Sequence, residues 1–200
     1  MTIVDRVKNI CLTPTTEWGV VAGEAATPSA LISGYAAPLA ALSAVAGFIG
    51  GSLVGFTVPF LGGTYRAPVI SGLVGACVTF VLALVGVFVL SLIIDALAPS
   101  FGGQKNSSQA MKVAVYSYTP AWVAGVLRIV PALGLLAVIG ALWGIYLLYL
   151  GLPRLMKSPQ DKALGYTVVV IVAAIVITVV IGAFAALFGG VGMYQSGAFR

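Results

Sequence analysis

The sequence predicts an all-α polytopic membrane protein: five transmembrane helices preceded by an amphipathic N-terminal leader. Three observations predict it. Five stretches, 31–56, 69–97, 113–130, 132–152 and 164–188, are apolar and carry almost no charge. At about 1.5 Å of rise per residue, a helix needs roughly 20 such residues to cross a hydrocarbon core about 30 Å thick, and only the third stretch falls short. Composition agrees, because 60% of the 200 residues are hydrophobic and 8% are charged, where a soluble domain carries about 25% charged residues. Mean hydropathy is +1.12. Finally, the ten Lys and Arg outnumber the five Asp and Glu but sit between the stretches, with no stripe of interleaved aromatics. The net charge of +5 therefore reads as orientation in a bilayer, with lipids as the partner and no nucleic acid.

The leader, 1–27, opens with Ile3, Val4, Val7, Ile10 and Cys11 at helical spacing around Asp5, Arg6, Lys8 and Asn9, the pattern of a short amphipathic helix. Two readings stand: a helix lying among lipid headgroups, or one packed on the inner ends of the spans. Thr13-Pro14, Thr27-Pro28 and Ser158-Pro159 each place a hydroxyl before a proline, which predicts a capped helix start. The first opens a second leader helix through Glu17, Trp18 and Glu24, with Trp18 suited to a membrane interface. The second opens the first span, and the third opens the fifth, with Asp161 complementing the dipole. The first apolar run is too long for the core of a signal peptide, so it reads as a retained anchor. Residues 28–190 form the transmembrane domain and 191–200 a short external tail.

Between spans, 57–68 reads as a compact outer loop with two prolines, paired glycines and one charge. In the next connection Gly102-Gly103 breaks any helix, and Asn106-Ser107-Ser108 supplies caps. Arg128-Ile129-Val130-Pro131 must turn the chain tightly. With five crossings and an inner N-terminus, Arg6, Lys8, Lys105, Lys112, Arg154, Lys157 and Lys162 face the cytoplasm, and Arg66, Arg128 and Arg200 lie outside. Four crossings would erase that asymmetry, so the charge rule favours five and places the C-terminus outside the cell membrane.

Small residues recur every fourth position: Ala36, Ala40 and Ala44, then Gly47, Gly51 and Gly55 in the first span, Gly140 and Gly144 in the fourth, and Gly182, Ala186 and Gly190 in the fifth. In lipid such registers let helix backbones approach closely, within one chain or between copies. Pro120 should bend the third stretch, and Tyr116, Tyr118 and Thr119 make it the most polar segment inside the membrane. It is either a gate or lipid-contact site, or a kink whose hydroxyls satisfy freed carbonyls. Asp95 and Arg128 are the charges nearest to membrane depth. Both are candidate functional residues, with interfacial placement and snorkelling as the plainer accounts.

Catalysis finds little to work with. There is no histidine, which removes the usual haem, zinc and general-base chemistry. Cys11 and Cys77 lie on opposite sides of any sensible topology and make neither a disulfide nor a metal site. An aspartyl protease would need two carboxylates in facing spans, and only Asp95 is available. No phosphate-binding glycine loop is present, and the midplane lacks the charges of an ion-coupled transporter. No cofactor or metal is expected.

With the residues placed, the chain resembles the Yip (Ypt-interacting protein) membrane family in its bacterial branch. The likeness rests on the amphipathic start followed by Thr13-Pro14-Thr15-Thr16-Glu17-Trp18, five spans, Tyr116-Ser117-Tyr118-Thr119-Pro120 opening the third, and a fourth ending in Tyr146-Leu147-Leu148-Tyr149-Leu150-Gly151-Leu152. The resemblance implies five spans, an inner N-terminus and no assigned enzymatic activity. Eukaryotic members look like adaptors that engage Rab-type GTPases through an Asp-Leu-Tyr-Gly-Pro signature. That signature is absent, and residues 23–38 offer no equivalent. The expected function is a non-enzymatic inner-membrane protein that organises the membrane or acts as an adaptor, for a protein partner or a second copy. The alternative is a small channel, transporter or lipid-translocating protein using the kinked third helix.

Overall fold

A computed structural model describes residues 1–58 and 63–195, with side chains described outside 56–65 and 181–200. The leader folds as two short helices, α1 (Ile3–Leu12) and α2 (Pro14–Gly23). The first span is one continuous rod: α3 (Pro28–Leu31), a π-helical turn (Ile32–Ala36), α4 (Ala37–Phe48) and a second π-helical segment (Ile49–Val54). Then come α5 (Val69–Leu97), α6 (Ser107–Gly125), α7 (Ala137–Met156) and α8 (Ala163–Gln195). Helix α5 occupies the same residues as the second apolar stretch, and α8 continues into the expected tail.

Side-chain matches fix the directions. Along α6, Lys112 reaches Glu24, Thr119 meets Tyr35, and Gly125 abuts Ser43. Both residue numbers rise together, so α6 runs parallel to the first rod over its length. Along α7, Gly140 faces Pro120 and Ala124, Gly144 faces Ser117, and Gly151 faces Trp18 of the leader, so α7 runs antiparallel. Helix α8 returns alongside α5, where Tyr166 donates to the Ile94 carbonyl and stacks on Phe101 at 4.8 Å.

Among the described residues, four helical segments are long and apolar enough to cross a membrane: Pro28–Val54, Val69–Phe101, Pro131–Met156 and Gln160–Val180. Helix α6 is not among them, and its placement explains why. Among the described residues it is the most enclosed element, with twelve buried residues including Lys112, Tyr116, Ser117 and Thr119, so neighbours rather than lipid solvate it. The other helices turn Leu42, Val81, Leu92, Leu142 and Val172 outward, inverting the soluble pattern because lipid is the solvent.

Several local expectations are corrected. Only Thr27 of the three hydroxyl–proline pairs caps a helix, accepting from the Ala30 amide at 3.3 Å. The Thr13 hydroxyl instead donates to the Asn9 carbonyl, closing α1, and the Ser158 hydroxyl is buried with no partner among the described residues. The 57–68 loop contains an antiparallel ribbon, β1 (Phe56–Val58) with β2 (Gly63–Tyr65). Asn106 does cap α6, accepting from the Gln109 amide at 3.1 Å, and Gly102 takes a φ of 73° that suits glycine. The tight turn after α6 consists of two 3-10 segments, Val126–Ile129 and Pro131–Leu136.

Candidate functional site

The densest polar chemistry lies where the leader docks on one end of the bundle. Arg6 is buried on the face of α1 that meets the spans, and its guanidinium donates to both Glu17 and Glu24 of the second leader segment. The Glu17 side chain is 5% exposed and the Glu24 side chain 40%. Lys112, near the N-terminal end of α6, donates to the carbonyls of Val21 at 2.9 Å and Glu24 at 2.5 Å. Two cations and two carboxylates thus meet in one joint, which leaves it neutral overall. Burial pulls the Arg6 guanidinium down, but the Glu24 hydrogen bond and the charges of Glu24 and Glu17 outweigh it and leave the group above its ordinary value.

Aromatic rings complete the joint. Arg6 lies 5.5 Å from the Tyr116 ring centre, a cation–π distance. Trp18 and Tyr35 meet the same ring edge-on at 6.3 Å and 4.9 Å. The Tyr35 hydroxyl lies 3.0 Å from that of Thr119, tying the first rod to α6. Trp18 is 0% exposed, so it plugs the joint rather than marking a membrane interface. It fits because Gly151 offers no side chain: a Cβ there would lie 2.8 Å from the indole. The leader packs on the span ends, and the side turned away from them carries exposed Val4, Lys8 and Leu12. At the end of α1 the Cys11 carbonyl accepts from Trp143, and burial pushes the Cys11 thiol up to about 11.

The residues singled out from sequence separate into different places. Tyr116 belongs to the joint. Tyr118 points the other way and, with Ser117, lines an apolar cleft of about 330 Å³ between α5, α6, α7 and α8. Pro120 sits buried inside α6 and leaves the Tyr116 carbonyl without its helical donor. The Thr119 hydroxyl goes to Tyr35 rather than to that carbonyl. Asp95 accepts from the Asn106 amide at 2.6 Å, clamping the loop before α6. Arg128 lies at the opposite end of the bundle and does not meet Asp95.

Glycine placement is equally specific. Cβ atoms on Gly140 and Gly144 would lie 2.5 Å from the carbonyls of Pro120 and Ser117, so these glycines set the α6–α7 approach. Ala36, Ala40 and Ala44 are buried. Gly47 faces Arg128, Gly51 faces open space, and Gly55, at φ 81°, lies beyond the rod. The side chains of the 182–190 register lie outside the described residues. Sequence reasoning missed Arg6, Glu17, Glu24 and Lys112 as a unit. The available signal was three charges of a short leader returning at 6, 17 and 24, with Arg6 and Glu17 on the buried faces of their helices and Glu24 at the end of the second.

Comparison with known proteins places this architecture. The model of the Yip1 domain matches residues 9–195. The chain belongs to the Yip1 family. Among relatives of this Yip1 family protein, the inner membrane protein YohC of Escherichia coli K12 is 25% identical over 183 residues, covering 90% of this chain and 93% of the relative. YohC of Escherichia coli O6:H1 matches to the same extent. No solved structure matches the chain. The protein is therefore a multi-pass membrane protein of the Yip1 family.

Proposed function

We propose that this Yip1 family protein is a non-enzymatic adaptor or membrane organiser of the bacterial inner membrane, with its leader in the cytoplasm and its C-terminus outside. The observation that carries the reading is the leader joint. Burying the charges of Arg6, Glu17 and Lys112 costs several kcal/mol per ion unless they are satisfied, and here the network holds two short helices against the spans. That leaves a rigid platform whose outward row, Val4, Lys8 and Leu12, faces the membrane surface and any protein docked there. A photo-crosslinking residue at Val4 or Leu12 in native membranes tests it. Adducts with one defined protein, or with a second copy, support the adaptor reading, and lipid adducts alone overturn it.

The cleft at Tyr118 favours one second reading, passage of a lipid or small solute along α6. Its lining is almost wholly apolar, with Ser117, Tyr118 and Thr178 as the hydroxyl bearers. Lipid scrambling and solute efflux in proteoliposomes decide between them. Flux lost on Tyr118→Phe or Asp95→Asn supports passage, and flux equal to protein-free vesicles removes it.

A further inference from the structure

A polar cavity opens where the last residues of the leader meet the start of the first rod and the start of α6. It measures about 580 Å³ and is walled by Glu24, Thr27 and Ala30 on one side and by Asn106, Ser108 and Lys112 on the other. Pro28 is the first residue of a membrane-crossing segment, so residues 24–30 straddle the level at which phospholipid headgroups lie. Lys112 is the group that the joint leaves unsettled. It is 2% exposed, and both salt bridges among the described residues belong to Arg6, which takes the Glu17 and Glu24 carboxylates. The hydrogen bonds of Lys112 go to neutral acceptors, the Val21 and Glu24 carbonyls, and an ammonium has a third N–H to give. A buried cation is costly until an anion reaches it, and this one stands in the wall of a cavity.

The opposite charge lines the same cavity. Glu24 gives its Oε1 to Arg6 and keeps Oε2 without a partner among the described residues, on a side chain 40% exposed. Because the Lys112 ammonium rests on the Glu24 main-chain carbonyl, cation and carboxylate are held within one residue of each other. The α6 side adds donors. Asn106 spends its side-chain oxygen on the Gln109 amide, which leaves its NH2 group, and Ser108 offers a hydroxyl. A lone anion would be repelled by Glu24 and a lone cation by Lys112, whereas a zwitterion satisfies both. Ala30 is exposed and small, so the cavity stays open toward the headgroup layer. We propose that it binds the headgroup of a phosphatidylethanolamine-type lipid, the phosphate accepting from Lys112, Ser108 and Asn106 and the primary ammonium donating to the free oxygen of Glu24.

The test uses the full chain, purified in detergent, stripped of lipid and titrated with phosphatidylethanolamine, phosphatidylcholine or phosphatidylglycerol of the same acyl chains, with retention read by native mass spectrometry. Phosphatidylethanolamine should be held about tenfold or more tighter than either, the scale of a lost hydrogen bond to a charged group, because choline has no N–H for Glu24 and glycerol carries no cation. Glu24→Gln should erase that preference, and Lys112→Met should weaken retention of phosphatidylethanolamine and phosphatidylglycerol alike. Both positions also hold the leader joint. Ala30→Phe leaves the side chains of the joint in place and fills the cavity from its wall, so it should abolish the preference even where the other two variants fail to fold. Soluble phosphoethanolamine at millimolar concentration should leave the lipid bound. Displacement by it would assign the site to a free zwitterion and overturn the lipid proposal. Phosphatidylcholine or phosphatidylglycerol held as tightly as phosphatidylethanolamine, or a preference unchanged in Ala30→Phe, would overturn the site itself.

Discussion

Arg6→Met keeps most of the apolar stem and deletes the cation between Glu17 and Glu24, which makes it the sharpest perturbation of the leader joint. The two partners weigh differently. Glu24 is 40% exposed, and a pair screened to that degree contributes about 0–1 kcal/mol. Glu17 is 5% exposed, and leaving its carboxylate buried alone costs about 3–5 kcal/mol. Falling on leader docking, that cost raises the undocked population by about two to three and a half orders of magnitude. Cys11 reports it directly. Its thiol, pushed up from 9.0 to about 11 while docked, leaves the docked leader with about two orders of magnitude fewer thiolates at pH 7. In a Cys77→Ala background, maleimide labelling of Cys11 in native membranes should rise sharply on Arg6→Met, to a ceiling about a hundredfold above the docked rate. Arg6→Met with Glu17→Gln should label more slowly than Arg6→Met alone, because no carboxylate is then left without a partner. Labelling of Arg6→Met within about twofold of wild type, or a double variant labelled faster than the single one, would refute the reasoning.

The remaining predictions concern pH and packing. Because burial raises the docked Cys11 value to about 11, docking is at full strength below about pH 8.5 and weakens as pH rises toward 11, where the released thiol ionises first; protease sensitivity of the leader across that range measures it. Gly144→Leu drives a side chain at the Ser117 carbonyl and should lower stability by about 1–3 kcal/mol, read as a drop in melting temperature in detergent. Gly19→Ala, in α2 with nothing within 4 Å, should instead stabilise by about 0.5–1 kcal/mol in the same melt. Tyr35→Phe removes the hydroxyl paired with Thr119 and should cost about 0.6 kcal/mol, with Tyr35→Phe/Thr119→Val adding little in mixed-micelle unfolding.

Much of the fold was legible because length and hydropathy act locally. The unbroken apolar run 69–97 is α5 to the residue, and Pro28 and Gly102 mark real boundaries. The joint was not legible, because its logic is tertiary. Arg6 reads as an inner-surface charge and Trp18 as an interfacial ring until α6 and α7 are known to meet them, and only the missing side chain at Gly151 shows where the indole goes. Thr13 marks a real helix start, with Pro14 opening α2, but its hydroxyl is taken by the Asn9 carbonyl, and the Ser158 hydroxyl is buried instead of capping: a hydroxyl before a proline specifies a local option that the surroundings decide. The glycine registers sat between these extremes. Gly140 and Gly144 are contacts that spacing suggests, whereas Gly51 has the same spacing and borders a cavity.

The enclosure of α6 has a consequence for how the protein is made. A segment carrying Lys112, Ser117, Thr119 and a proline partitions poorly into lipid by itself, and its closest partner, α7, is synthesised only after it. The short turn at Val130 and Pro131 lets the two enter as a hairpin, with Gly140 and Gly144 already seated against the carbonyls they will face. The third segment is thus held in the bilayer by the fourth, and truncation before residue 131 should leave it outside the membrane.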